Sequence, residues 1–302
     1  MTESQASVAI VTPSFRGDVL RCALLCKSMD HFVSGSWHHY IVVENQDYAL
    51  FATFNSARRT VLKMKDILPS WLHHVGILPF SNRRSLWFSF RTGWLIGWHI
   101  QQMVKIQMAT VVQDEALLYC DSDVMFVRPF SVGNLRQDEK IRFYRSDELV
   151  AAADITNPKY LVAASQLLGL GPDPFPCATY VDNLVVWSST VVQDMCAHIE
   201  KHAGKSWIAA LGRKMIFSEY SIYGLFVDRI SARKDDLAAS GLSLCKTAWR
   251  GRNWDETQVT EFFDTLSPHH VAVGFQSFLG VDCAALAQQL DRAIKTSKVA
   301  LQ

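Results

Sequence analysis

The sequence predicts an α/β fold built on a mixed, mostly parallel central sheet flanked by helices. Three observations lead there. Apolar runs of strand length alternate with helically spaced segments through the first 130 residues. Several of these runs stop at polar pairs, as strands lining the ligand crevice of an open α/β sheet do. At 302 residues, 49% of them hydrophobic, the chain lies just above the roughly 250 at which a single core tends to split, so one unit with a C-terminal elaboration is expected.

Residues 8–11 (Val-Ala-Ile-Val), closed by Thr12-Pro13-Ser14, read as a buried strand, and residues 18–29 as the helix that follows it. Residues 39–43 repeat the strand pattern and end in Glu44-Asn45. A strand is expected at 71–78, then a basic loop at 81–84. Helical spacing runs from about 92 to 108, with Trp94 and Trp98 on its buried face and Gln101, Gln102 and Lys105 between the apolar positions. Residues 117–125 read Leu-Leu-Tyr-Cys-Asp-Ser-Asp-Val-Met, an apolar strand broken by two carboxylates at its end. Farther on come a helix at 157–168, a turn-rich loop at 169–176 expected to move or face substrate, and a strand at 180–187 with Asp182-Asn183 embedded. One or two helices around Ser218-Glu219-Tyr220, a polar aromatic loop at 249–254, a strand after His269-His270 and an amphipathic helix from 282 to 298 complete the chain.

Composition excludes several classes. Thirty basic and 29 acidic residues give a net charge of +1, so no global field favours nucleic acid or anionic lipid, and any anion must be held locally. No GxGxxG follows the first strand and no GxxxxGK[ST] occurs, which argues against dinucleotide enzymes and P-loop NTPases. The seven cysteines are odd in number and scattered without zinc spacing, which favours reduced thiols and the cytoplasm. The first residues lack the cationic start of a signal peptide, and no apolar run approaches the ~18 residues needed to cross a bilayer. Any membrane contact is then peripheral, at the inner membrane.

Carboxylates beside a core strand lose several kcal/mol to desolvation unless something compensates them. A hard divalent cation is the simplest compensation, and Mg2+ or Mn2+ keeps sites open for substrate phosphates. The alternative is a turn in which Asp121 caps the next segment and Asp123 is solvated.

On these residues the chain resembles the nucleotide-sugar-dependent glycosyltransferases of the GT-A fold, a Rossmann-like architecture, over roughly residues 7–280. Thr12, Pro13 and Ser14, with Arg16 just beyond, look like the first strand and turn that grip the nucleoside. Glu44 is placed like the acidic residue meeting base or ribose. Tyr119-Cys120-Asp121-Ser122-Asp123-Val124 is similar to the metal-binding motif, and Asp182-Asn183 to the strand near the donor sugar. Phe217-Ser218-Glu219-Tyr220 resembles the helix start near the acceptor. The closest likeness is to bacterial members pairing the acidic turn with Ser-Glu-Tyr and a Gln-Gln-x-x-Lys helix. The resemblance implies a nucleotide-sugar-binding half at 1–130, an acceptor-binding half at 131–280 and a C-terminal helix at 281–302. It implies Mn2+ or Mg2+ as cofactor, a nucleotide-diphosphate sugar, a UDP-sugar first, as donor, and a glycan or glycolipid as acceptor. Asn183-Leu184-Val185 departs from the Asn-Ala-Gly of retaining relatives and Ser218-Glu219 from the Glu-Asp of inverting ones, so the anomeric outcome stays open.

The resemblance assigns Asp123 and His270, or His269 in its place, as metal ligands, with Asp121 ligating directly or binding ribose. Glu219 becomes the general base, with Asp182 as the competing base or a ligand for sugar hydroxyls. Ser122 and Asn183 would touch the donor. Arg84, Gln102 and Lys105 suit a diphosphate or base, although Arg84 also reads as part of a solvated loop and Lys105 as a snorkelling side chain. Trp249 and Trp254, in a basic polar loop, suit the acceptor. Nucleotidyl transfer and a non-catalytic sugar or nucleotide module are the competing functions.

Overall fold

The computed structural model describes residues 7–77, 85–147, 158–171, 177–251 and 253–299. Its centre is a five-stranded sheet built from β1 (Val8–Ser14), β2 (Trp37–Val43), β3 (Arg59–Lys63), β4 (Ala116–Tyr119) and, from later in the chain, Val185–Ser188. Their order is Val185–Ser188, β4, β1, β2, β3, parallel except for Val185–Ser188, which runs antiparallel to β4. Every residue of β1 is buried, as expected of a parallel strand covered on both faces. Helices α1 (Val19–Phe32) and α2 (Gly97–Val111) follow strands of the first half, giving the mixed, mostly parallel sheet flanked by helices that the sequence predicts.

Beyond β4 the chain turns through the acidic residues into β5 (Val124–Phe126), which leaves the central sheet. It pairs antiparallel with β8 (Ala272–Phe275), itself parallel to β7 (Cys245–Ala248). Strand β6 is Val185–Ser188; among the later helices, Pro158–Leu167 and α3 (Glu219–Arg229) reach the site, and α4 (Cys283–Val299) lies apart from it. Helix α4 docks on α1, where Asp291 stands 2.6 Å from Lys27 Nζ and Ser297 Oγ 2.9 Å from His31 Nε2. All seven cysteines are free thiols. Among the described residues no helix is long and apolar enough to cross a membrane.

Four expectations are corrected. Strand β3 was not anticipated, because Arg59 and Lys63 bracket only three residues that read as strand. The strand expected at 71–78 forms at His73–Ile77 but belongs to a separate antiparallel sheet with Ser85–Ser89 and Gly93–Ile96. The helix expected from 92 begins at Gly97, so Trp94 lies on a strand, and Trp94 and Trp98 are 62% and 43% exposed rather than buried. Asp182 and Asn183 precede β6 instead of lying within it. Leu184, between them and the strand, has φ +59°, a left-handed conformation uncommon for a branched side chain.

Candidate active site

The acidic turn grows out of the end of β4. Cys120 N–H donates to Val11 O at 3.1 Å, prolonging the pairing with β1 by one residue. The Thr12 hydroxyl donates to Cys120 O at 2.7 Å. Val124 N–H then closes the turn on Asp121 O at 3.1 Å. The backbone is thus held on both sides, and Asp121, Ser122 and Asp123 project into a cavity of about 460 Å³ beyond the strand ends. This is the place where open α/β sheets bind ligands, and the volume lies in the small-molecule range.

Asp123 is the most constrained of the three. Its Oδ2 accepts from Ser277 N–H at 3.2 Å, while its Oδ1 is buried without a partner. Burial first, then the charges of Asp121 and Asp18, push its carboxyl up to about 8 against the opposing pull of Arg21 and the Ser277 N–H. An isolated buried carboxylate oxygen beside two further acids is a strong acceptor of positive charge.

Helix α2 supplies that charge on one side. Trp98, Gln102 and Lys105 stand four and seven residues apart, so they form one stripe facing the cavity. Lys105 Nζ lies 2.9 Å from Asp121, 3.1 Å from Glu219 and 2.9 Å from the Tyr220 hydroxyl. Burial pulls the ammonium down, but the surrounding Asp121, Tyr220 and Glu219 outweigh it and hold it charged, well above its usual value. Snorkelling is therefore excluded, since Lys105 is 5% exposed.

Glu219 opens α3, capped by Ser218, whose Oγ accepts from Ser221 N–H at 3.4 Å. The Glu219 N–H donates to Gln102 Oε1 at 3.1 Å, fastening α3 to α2. Burial raises the Glu219 carboxyl above the usual range and Lys105 opposes the rise. Asp182, on the opposite wall, is pushed up to about 7 by burial, with the Ser243 hydroxyl and Arg142 working against it. Asn183 Nδ2 donates to Thr247 Oγ1 at 2.9 Å, and a Cβ on Gly274 would stand 2.8 Å from that nitrogen. Glycine at 274 is what lets the amide lie there.

The structure brings Pro13, Gln102, Lys105, Asp121, Ser122, Asp123, Asp182, Asn183 and Glu219 to the cavity wall, with Trp249. It separates others. Thr12 is committed to a buried network, receiving from His39 Nε2 at 2.9 Å while donating to Cys120. Ser14 is buried with its hydroxyl unpartnered and off the wall. Arg16 is ion-paired with Asp47 at 2.6 Å, and Glu44 is held by Gln46 at 2.9 Å with His74 Nε2 3.5 Å away. Trp254, partly buried, packs on Phe262 and Phe275 against the core. Arg84, like Arg83, Arg252 and residues 172–176 of the turn-rich loop, lies outside the described residues.

His270 is a correction. It precedes β8 at the end paired with Phe126, whereas Asp123 lies past the other end, where Phe275 N–H donates to Asp123 O at 3.0 Å. Three strand rises separate Ala272 from Phe275, on the order of 10 Å. Its Nδ1 instead accepts from Ser267 N–H at 3.1 Å, and the His269 ring lies 4.4 Å away at a tilt of 54°. What stands next to Asp123 is Gln276-Ser277-Phe278, none of them among the residues that the sequence marks as candidates. The signal was a polar pair directly after an apolar strand, the same one that marked Asp121. Asp18 and Tyr160 also line the wall without a signal of this kind in the sequence.

Among the described residues no group of three His, Cys, Asp or Glu side chains is arranged to hold a metal ion by itself. A divalent cation still fits the chemistry of the corner. The orphaned Asp123 Oδ1, the partly exposed Asp121 carboxylate and the Gln276 amide are hard oxygen donors, and one or two carboxylates completed by substrate phosphates suffice for Mg2+.

Fold and site together define an α/β protein with an acidic, lysine-buttressed cavity at the strand ends of a mostly parallel sheet. The chain belongs to a family of unknown function (DUF6492), whose model matches residues 6–298. Among solved structures it is similar to the galactosyltransferase LgtC, determined in complex with donor and acceptor sugar analogs, at 12% identity over 95% of each chain with a TM-score of 0.46. No curated protein matches it.

Proposed function

We propose that the chain is a metal-dependent glycosyltransferase moving a sugar from a nucleotide-diphosphate sugar, a UDP-sugar first, to a hydroxyl of a glycan or glycolipid acceptor. The observation that carries this reading is the buried, unpartnered Oδ1 of Asp123 at the mouth of an acidic cavity beyond the strand ends. Four further features support it: Asp121 beside it, the Lys105 clamp, the aromatic rim of Trp98 and Trp249, and the motif order from Asp121 to Tyr220. Asp121 and Asp123, with Gln276, would hold Mn2+ or Mg2+. When bound, such an ion neutralises charge on the departing diphosphate, a contribution of several kcal/mol on the usual scale.

The protein's own groups divide the remaining work. Lys105 keeps Asp121 and Glu219 in fixed relation, so the acidic corner and the start of α3 move as one piece. Glu219, neutralised by that ammonium at 3.1 Å, orients acceptor or donor hydroxyls. Asp182, pushed up to about 7 by burial that Ser243, the Asn183 N–H and Arg142 only partly offset, is the better-matched proton acceptor for an attacking hydroxyl, since a base works best with a pKa near the operating pH. Asn183, immobilised by Thr247, is directed at the donor sugar.

A thermal-shift panel of UDP-, GDP-, CMP- and dTDP-sugars with and without Mn2+ tests the reading, because a ligand that binds only the native state raises its melting temperature. One donor is expected to shift the melt only with metal present, and to be consumed with release of the nucleoside diphosphate. Pyrophosphate release would point to nucleotidyl transfer, and a shift without turnover of any donor to a binding module.

A further inference from the structure

The small antiparallel sheet beside the cavity breaks the usual rule of one buried face and one polar face. Its inner face is ordinary: Trp87 and Leu95 pair across two strands and are 2% exposed each. Its outer face pairs Leu86 with Ile96 and Phe88 with Trp94. The rings of Phe88 and Trp94 lie 4.8 Å apart, and Phe90 stands 5.3 Å from Phe88 at the strand end. Phe90 is 92% exposed and Trp94 62%.

A second segment extends this apolar face. Arg213 donates to the carbonyls of Arg91 and Phe90 at 2.8 and 3.1 Å, and His99 Nε2 lies 3.1 Å from Met215 O. Met215, 89% exposed, is thereby fixed beside the sheet. Contiguous exposed apolar surface of this kind marks a contact site.

Charge selects the occupant. No Asp or Glu occurs anywhere in residues 67–113 or 201–218, the two stretches that build this region, although the whole chain is nearly neutral. Arg91 sits over the Trp71 ring at 5.0 Å, Arg213 bonds only to carbonyls, and Lys214 to the Gln166 amide at 3.2 Å. None of these three cations has a carboxylate partner among the described residues. Exposed Trp and Phe among unpaired Arg and Lys suit the headgroup level of an anionic bilayer, where aromatic rings lie at the interface and cations meet lipid phosphates.

We propose that the outer face of this sheet, with Met215, docks the protein on an anionic lipid surface. Helix α2 continues directly from Ile96 and carries Trp98, Gln102 and Lys105 to the cavity, so docking sets the cavity mouth beside the headgroups. The proposal is independent of the transferase reading and is tested without activity.

The full chain is sedimented with vesicles of phosphatidylcholine alone and of phosphatidylcholine mixed with phosphatidylglycerol. Binding to the anionic vesicles only, weakened by added salt, is expected. The double variant F90S/W94S should lower partitioning by about tenfold or more, and R91E/K214E should remove the preference for anionic lipid. Neither pair touches the cavity, and matching melting curves establish that both variants fold. Failure to bind anionic vesicles, or binding that both variants leave intact, overturns the proposal. So does sedimentation equilibrium showing a dimer that F90S/W94S dissociates, which would mean that a second copy covers this face.

Discussion

Two polar clusters flank the first strand, one satisfied and one not. On the β2–β3 side, Arg59 Nε donates to His39 Nδ1 at 3.0 Å and Arg59 Nη2 reaches Asp30 at 2.8 Å. Because His39 Nδ1 accepts, Nε2 carries the proton and donates to Thr12, which in turn donates to Cys120 O. Burial and the neighbouring Arg59 keep that imidazole neutral, well below its usual pKa. None of these atoms is left orphaned. On the cavity side, Asp123 keeps an unpartnered oxygen, Asp182 is pushed up to about 7, and three acids crowd one corner. The closed cluster holds the sheet together. The open one is incomplete in a way that a cation and a polar ligand would complete, which is the physical difference between a structural network and a binding site.

The comparison can be broken at four points. Asp123→Ala should lower metal-dependent turnover by about a thousandfold, the loss of one preorganised electrostatic group, with the fold intact; a chelator should do the same to the parent protein and added Mn2+ reverse it. Retained turnover in the variant would remove the open cluster from function. Arg59→Met, in the closed cluster, should cost about 3 kcal/mol in urea unfolding, since it leaves the buried His39 Nδ1 and the Cys26 carbonyl without their donor, the exposed Asp30 adding little, while turnover per folded molecule stays near the parent's. A collapse of turnover at full stability would erase the distinction.

Asp182→Asn should reduce turnover about a hundredfold if this residue takes the proton. It also carries a signature in stability. The folded carboxyl titrates near 7 and the unfolded one near 4, so between those values the native state holds a proton that the unfolded chain has lost. Stability therefore falls as pH rises through that window, by at most a few kcal/mol. The asparagine variant should lose this slope and gain on the parent at pH 8 relative to pH 5, measured by unfolding at both. The smallest effect is expected of Thr12→Val, about 2 kcal/mol from two unmet buried partners. An unchanged donor KM would confirm Thr12 as scaffold, whereas a large rise would return it to the nucleoside.

Much of this was legible in the residues. Apolar runs ending in polar pairs located β1, β2, β4 and the acidic turn, because burial on both faces leaves a strand no freedom in composition. Helical spacing placed Lys105 on α2, yet the same periodicity absorbed Trp94 into that helix, since alternation over only four strand residues satisfies both patterns. Strand β3 escaped because an edge strand needs few apolar residues. The link from Asp123 to Ser277 spans 154 positions, a distance at which local patterning carries no information. His270 was assigned by its place late in the chain, where the resembled family carries a third metal ligand, but antiparallel pairing of β5 and β8 fixes it at the wrong end.

Leu184 combines a strained backbone with a side chain only 3% exposed. Swinging the loop to relieve the strain would withdraw that leucine from the hydrophobic interior, at a cost of roughly 2 kcal/mol or more for a buried aliphatic group. The segment bearing Asp182 and Asn183 is thus pinned rather than pliable. Any molecule entering the cavity has to match this wall as it stands, so selection here is by shape complementarity to a rigid template, with adaptation left to the rest of the rim.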